Sequence, residues 1–213
     1  MELFTDRFVS DLWEFDQAMR EQHGIIIGTD EVGRGPLAGP VVAAAVILDP
    51  NNPISGVRDS KKLTEKKREE LFLEIRAKAV AVKACCVLPS EIDRINILQA
   101  SLLAMYRSAT PIPNWDFLLV DGNKMVPNIS ADRQMTIVKG DDKSASIAAA
   151  SIIAKVVHDR ILRVYDTRWP EYGFASNKGY PTEQHRNAIL EHGLTKVHRK
   201  SFCESFLGQT SLF

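Results

Sequence analysis

Three short apolar runs in this chain each end on a carboxylate, and that repetition limits the folds open to it. Gly24-Ile25-Ile26-Ile27-Gly28 leads into Thr29-Asp30-Glu31, and Phe117-Leu118-Leu119-Val120 leads into Asp121-Gly122. The weaker segment Gln134–Val138 leads into Lys139-Gly140-Asp141. Short β-branched runs bounded by turn residues read as buried strands. The Ala/Ile-rich stretch Ser144–Tyr165 reads as a long helix, apolar enough to lie against a sheet. In an open α/β sheet, sites gather outside strand ends, so acids from separate strands meet there. A lone Asp after a strand is an ordinary turn residue; three strand ends behaving alike point to a site. Clustered carboxylates repel unless a cation neutralises them. Oxygen donors without a Cys or His partner favour Mg²⁺ or Mn²⁺ over Zn²⁺. A divalent pair held this way suits in-line attack of water on a phosphodiester.

The rest of the chain completes an α/β pattern. Val41–Leu48 reads as a second strand, antiparallel to the first because Gly33–Pro40 is too short for a crossover helix. Thr64 caps a helix carrying Leu71, Ile75 and Ala79, and Val80–Val87 reads as a third strand. Ser90 caps one helix with Ile92, Ile95, Gln99, Leu102 and Tyr106 in register. Thr182 caps a last helix that stops near Gly193. Phe8, Leu12 and Phe15 stand close to helical spacing, as in a short helix packed on the fold. The glycine loop after the first run is not a nucleotide loop. Arg34-Gly35 stands where a Walker loop needs Lys-Ser/Thr, and Asp30 and Glu31 would repel bound phosphates. A dinucleotide fingerprint fails too, since Gly39 comes one position late and Pro36 interrupts. What remains is a backbone that a sugar–phosphate can approach closely, with Arg34 available to a phosphate.

Charge and cysteine use narrow the setting. The 213 residues carry 27 Lys+Arg and 27 Asp+Glu, a net charge of zero that argues against a strongly basic nucleic-acid binder. Residues 1–106 total −3 and residues 107–213 total +3, so the basic surface belongs near the C-terminus. Lys178, Arg186, Lys196, Arg199 and Lys200 lie there, with His185, His192 and His198. His185 and His192 are seven apart and are expected on one solvated or phosphate-contacting face. Cys85, Cys86 and Cys203 form no Cys-x-x-Cys pair, which suits a reducing compartment. The N-terminus shows no secretory pattern and the longest apolar run is Val41–Leu48, against about 18 residues for a span. The expectation is a cytoplasmic protein with no membrane partner and a size suited to one large domain.

Read in order, the motifs resemble the ribonuclease HII family, the type 2 ribonucleases H. The signature is Gly28-Thr29-Asp30-Glu31-Val32-Gly33-Arg34-Gly35-Pro36-Leu37-Ala38-Gly39-Pro40-Val41-Val42. After it come Asp59-Ser60-Lys61-Lys62-Leu63, Asp121-Gly122-Asn123, Lys139-Gly140-Asp141 and Ile147–Val156. Tyr172-Gly173-Phe174, Lys178-Gly179-Tyr180-Pro181-Thr182 and His198-Arg199-Lys200-Ser201-Phe202 complete the series, so the resemblance runs from Gly24 to Phe202.

The resemblance implies an α/β fold: a ribonuclease H-like mixed sheet flanked by helices, with a small helical C-terminal portion. It implies an extension over 1–23, a catalytic domain over 24–165 and a substrate-binding helical portion over 166–208. It implies hydrolysis of the RNA strand of RNA/DNA hybrids and incision 5′ of single ribonucleotides in duplex DNA. The cofactor would be Mg²⁺ or Mn²⁺, two ions with substrate bound, acting in a monomer. Asp30, Glu31, Asp121 and Asp141 match the catalytic, metal-binding carboxylates; spacing to Ile147 favours Asp141 over Asp142. Gly33, Arg34 and Gly35 match the loop sensing the ribose 2′-hydroxyl and its phosphate. Tyr180 matches the aromatic stacking on the next sugar, and Lys61 a residue near the substrate backbone. A 2′-hydroxyl is the group that separates RNA from DNA at one position, and small residues let backbone groups reach it. The tail 209–213 resembles the short Gln-x-x-Leu-Phe peptide by which bacterial replication and repair proteins dock on the sliding clamp. Its anchors would be Gln209, Leu212 and Phe213. Two competing readings are a DNA nuclease of the same fold superfamily and a silent hybrid-binding module. The ribose-selective loop with Tyr180 speaks against the first and the four intact acids against the second.

Overall fold

The computed structural model describes residues 11–210. In chain order the elements are α1 (Asp11–His23), β1 (Ile26–Val32), β2 (Val41–Ile47), α2 (Glu65–Lys78) and β3 (Ala81–Val87). Then come α3 (Pro89–Ile95), α4 (Ile97–Ala109), β4 (Phe117–Asp121), β5 (Gln134–Ile137), α5 (Ala145–Arg168), α6 (Phe174–Asn177), α7 (Glu183–His192) and α8 (Lys200–Thr210). One five-stranded sheet has the order β3-β2-β1-β4-β5. The glycine loop turns β1 into antiparallel β2, while β4 and β5 run parallel to β1 after helical connections or turns. β1 continues past Asp30 to Val32, because Gly28–Val32 stay paired with Val42–Val46. The first two acids therefore belong to the strand itself, and the pleat sends their side chains to opposite faces.

Each face of the sheet is covered. Val42, Ala44 and Val46 pack under α5 and α2, and Ile27, Val41, Ala43 and Ala45 pack under α4. Small residues let α5 come close: a Cβ on Gly28 would lie 2.4 Å from the Ser146 backbone. Ser144 caps α5 by accepting from the Ile147 N–H. α1 does pack on the fold. Its buried Asp16 accepts hydrogen bonds from the Ser144 hydroxyl at 2.6 Å and the Ser146 N–H at 2.8 Å. Burial raises the pKa of that carboxyl, and the serine bonds oppose the rise.

Two expectations about elements change. The helix expected from a Ser90 cap starts instead at Pro89, after Leu88 and with no side-chain cap. It is broken at Asn96, whose φ of 65° ends α3 and whose carboxamide caps α4 at the Gln99 N–H. The apolar spacing ran through that corner, so periodicity alone did not reveal it. Thr182 does cap α7 and Gly193 ends it, but α8 follows, so α7 is not the last helix. Among the described residues no helix is long and apolar enough to cross a membrane.

Candidate active site at the strand ends

Parallel pairing brings the first and third acids side by side. Thr29 stands opposite Val120, so Asp30 and Asp121 are the next residues along neighbouring strands. Asp30 shares the α5-facing side of the sheet with Gly28 and is 6% exposed. Glu31 points to the α4 side, into a cleft of about 270 Å³ shared with Arg34, Asp121, Gly122, Asn123 and Lys124. The fourth acid, Asp141, arrives by a turn. Lys139 adopts φ 56°, and the Gly140 N–H donates to the Asp121 carboxylate at 2.7 Å. Asp141 then lies buried at 8% exposure. Asp142 faces out and pairs with Lys62 at 2.5 Å, so the two adjacent acids are separated by direction.

The electrostatics of the cluster follow from burial and like charge. Burial, then Glu31, Asp121 and Asp141, push the Asp30 carboxyl well above the usual carboxylate range. Burial also raises Glu31, against the opposing pull of Arg34, whose guanidinium lies 3.2 Å away. Asp141 is pushed up to about 6 by burial, then by Asp121 and Asp59. Lys61 sits among them: burial lowers its ammonium, but Asp30, Asp59, Asp141 and Asp121 outweigh that and hold it above the ordinary value. The donor set is all oxygen, and its mutual repulsion is what a hard divalent cation relieves, so the residues fit Mg²⁺ or Mn²⁺. Among the described residues no three His, Cys, Asp or Glu side chains are gathered as a ready-made metal cage.

Arg34 lines the cleft, and the Gly33-Arg34-Gly35 loop that carries it is held from behind. Gly33 has φ 88°, and a Cβ there would lie 2.8 Å from the buried His158 ring. The Arg199 guanidinium donates to the carbonyls of Gly33 at 2.5 Å, Arg34 at 2.8 Å and Gly39 at 3.0 Å. In a trans peptide the N–H points away from the C=O. The Arg34 and Gly35 amides therefore face away from Arg199. Tyr180 is 42% exposed, and a Cβ on Gly35 would come within 3.4 Å of its ring.

Arg199 and His158 are the residues the sequence did not single out. Arg199 was grouped with surface cations, yet it is fully buried, because its partners are main-chain oxygens about 160 residues earlier. His185 is likewise buried, not on a solvated face. The stripe His185, Ala188 and Ile189, spaced i, i+3, i+4, carries that signal. His192, seven residues on, is 41% exposed at its side chain, as expected. In the tail, the backbone at Gln209 falls in α8; the Gln209 side chain, Leu212 and Phe213 lie outside the described residues.

A family model described as Ribonuclease HII matches residues 27–205. The ribonuclease HII of Shewanella amazonensis is 53% identical over 190 residues, covering 88% of this chain and 90% of its own length. Among solved structures, the ribonuclease H2 of Pyrococcus horikoshii shares the fold with a TM-score of 0.70 at 24% identity, over 88% of this chain and 99% of that one. A ribonuclease HII of Archaeoglobus fulgidus, solved in complex with PCNA, gives 0.63 at 26% identity, over 82% and 93%.

Proposed function

The chain belongs to the ribonuclease HII family of metal-dependent endoribonucleases that act on RNA/DNA hybrids, and on that premise we propose a finer activity for it. It incises 5′ of single ribonucleotides embedded in duplex DNA, leaving a 3′-hydroxyl and a 5′-phosphate. The observation that carries this reading is the burial of Asp30 beside Glu31, Asp121 and Asp141, acids drawn from three strand ends. These four carboxylates would hold two divalent ions, Mg²⁺ or Mn²⁺. Such ions supply an activated water and charge stabilisation at the leaving 3′-oxygen when bound.

The chain's own groups do the reading. The outward amides of Arg34 and Gly35 receive the ribose 2′-hydroxyl and the adjacent phosphate, where a larger residue at Gly35 would crowd Tyr180. Tyr180 offers its exposed ring to the following sugar, and Lys61 offers a cation to the backbone beside the acids. On this reading 24–165 carries the chemistry, 166–208 contributes to binding, and α1, the described part of the extension 1–23, is tied on through Asp16. The protein works as a cytoplasmic monomer in replication and repair, with its 209–213 tail as a ligand for the sliding clamp.

One assay tests the core of the proposal. A DNA duplex carrying one ribonucleotide, an RNA/DNA hybrid and an all-DNA duplex are each incubated with Mg²⁺, Mn²⁺ or EDTA. Cleavage of the first two, none of the third, and none in EDTA is the expected pattern. Cutting of the all-DNA duplex, or an untouched single-ribonucleotide duplex, overturns it.

A further inference from the structure

Behind Tyr180 lies a chain of hydrogen bonds whose direction is fixed. The Thr195 backbone N–H donates to His198 Nδ1 at 2.9 Å. A backbone N–H can only donate, so Nδ1 carries no proton, and in the neutral ring the proton sits on Nε2. His198 Nε2 lies 3.1 Å from His185 Nε2, which must therefore accept. The remaining proton of His185 is on Nδ1, which donates to the Tyr180 carbonyl at 2.9 Å. Every position in this relay has one assignment. Both rings are buried, among Tyr172 and Phe174. Burial lowers His185, and burial followed by His185 lowers His198 to about 4, so both rings are neutral near pH 7.

The relay ends on a backbone that needs holding. Lys178 and Gly179 both take left-handed conformations, at φ 52° and 79°. The Tyr180 N–H donates to the Asn177 carbonyl, and the Tyr180 carbonyl accepts from both the Thr182 N–H and His185 Nδ1, the second bond tying it to a buried side chain of α7. Gly179 in turn accepts from the Leu37 N–H at 2.8 Å, within the same loop that carries Gly33 to Gly35. We propose that His185, oriented by His198, is a positioning residue that sets Tyr180 against Gly35 for ribose-adjacent sugar contact. The inference rests on the reading that Tyr180 touches substrate.

The test is a double-mutant cycle on the full chain, reading kcat/KM on a duplex with one ribonucleotide. His185→Leu is expected to lower kcat/KM about five- to tenfold, the scale of one lost neutral hydrogen bond. His185→Asn, whose side-chain N–H takes the place of Nδ1–H, is expected to restore most of it. In a Tyr180→Ala background, His185→Leu should have no further effect. Circular dichroism and thermal melts confirm that each variant is folded. Equal losses from His185→Leu in both backgrounds, with Tyr180→Ala itself impaired, overturn the positioning role alone. A Tyr180→Ala variant with unchanged kcat/KM overturns the substrate contact, and the positioning role with it.

Discussion

A carboxylate such as Asp30, buried beside three others, is costly to the fold and is retained for what it does. Replacing it with Asn removes a charge that its neighbours repel. Asp30→Asn is therefore expected to abolish hybrid cleavage while melting no lower than the parent in EDTA, with hybrid binding largely kept. A folded, fully active variant in a cleavage assay would sink its catalytic assignment. Asp141 adds a pH signature. Its folded value of about 6 lies above the ordinary aspartate value of 3.8. The folded state thus holds the proton more tightly, so this group favours folding below about pH 4 and loses that contribution as pH rises through about 6. Divalent ions compete with that proton. The rise in melting temperature on adding Mn²⁺ is expected to be larger at pH 7 than at pH 5, and smaller at both in Asp141→Asn. These acids were readable because each closes an apolar run. Arg199 and His158 were not, since one answers to distant carbonyls and the other to a missing Cβ at Gly33.

Among the elements, the contact between β1 and the start of α5 sets the depth of the site. Gly28 leaves no room: its added Cβ would meet the Ser146 and Ile147 backbone at 2.4 and 2.5 Å. A helix held by Asp16, Ser144 and a dense core cannot slide away cheaply. Gly28→Ala is expected to cost about 3 kcal/mol of stability, at the upper end of overpacking effects, in urea denaturation. An unchanged midpoint would mean that α5 yields more easily than its packing indicates. The hairpin, the caps at Thr64 and Thr182, and most strands were legible from local pattern, whereas the cap read at Ser90 is not there. The corner at Asn96 was not, because a helix can break in one residue while its apolar spacing continues.

For the molecule as a whole, net charge was the wrong scale on which to judge a nucleic-acid partner. Four of the acids lie at the proposed metal site, and Arg199 and His185 lie in the interior. The cations proposed to meet phosphates are local ones, Arg34 and Lys61 together with exposed Arg186, Lys196 and Lys200 of the C-terminal stretch. Binding of a catalytically inactive variant to hybrid should weaken with salt at a log–log slope of about −2 to −4, each phosphate contact contributing nearly one. A slope near −10 would indicate a broad basic footprint instead. Deleting 209–213 is expected to leave hydrolysis intact and to remove binding to a bacterial sliding clamp in a pull-down with purified clamp. Equal retention of the truncated and full chains would end the clamp reading.

The sequence alone determined the strands, the antiparallel turn, the long helix and the acids that close three runs. Those signals are local: period, capping and turn chemistry act within a few residues. Only the tertiary structure decided that Asp141 turns inward while Asp142 turns out, and that Arg199 braces a loop about 160 residues earlier. It also decided that two histidines share one proton path to the Tyr180 carbonyl. Burial and directed hydrogen bonds between remote segments fix those outcomes, and no spacing within a single segment carries them.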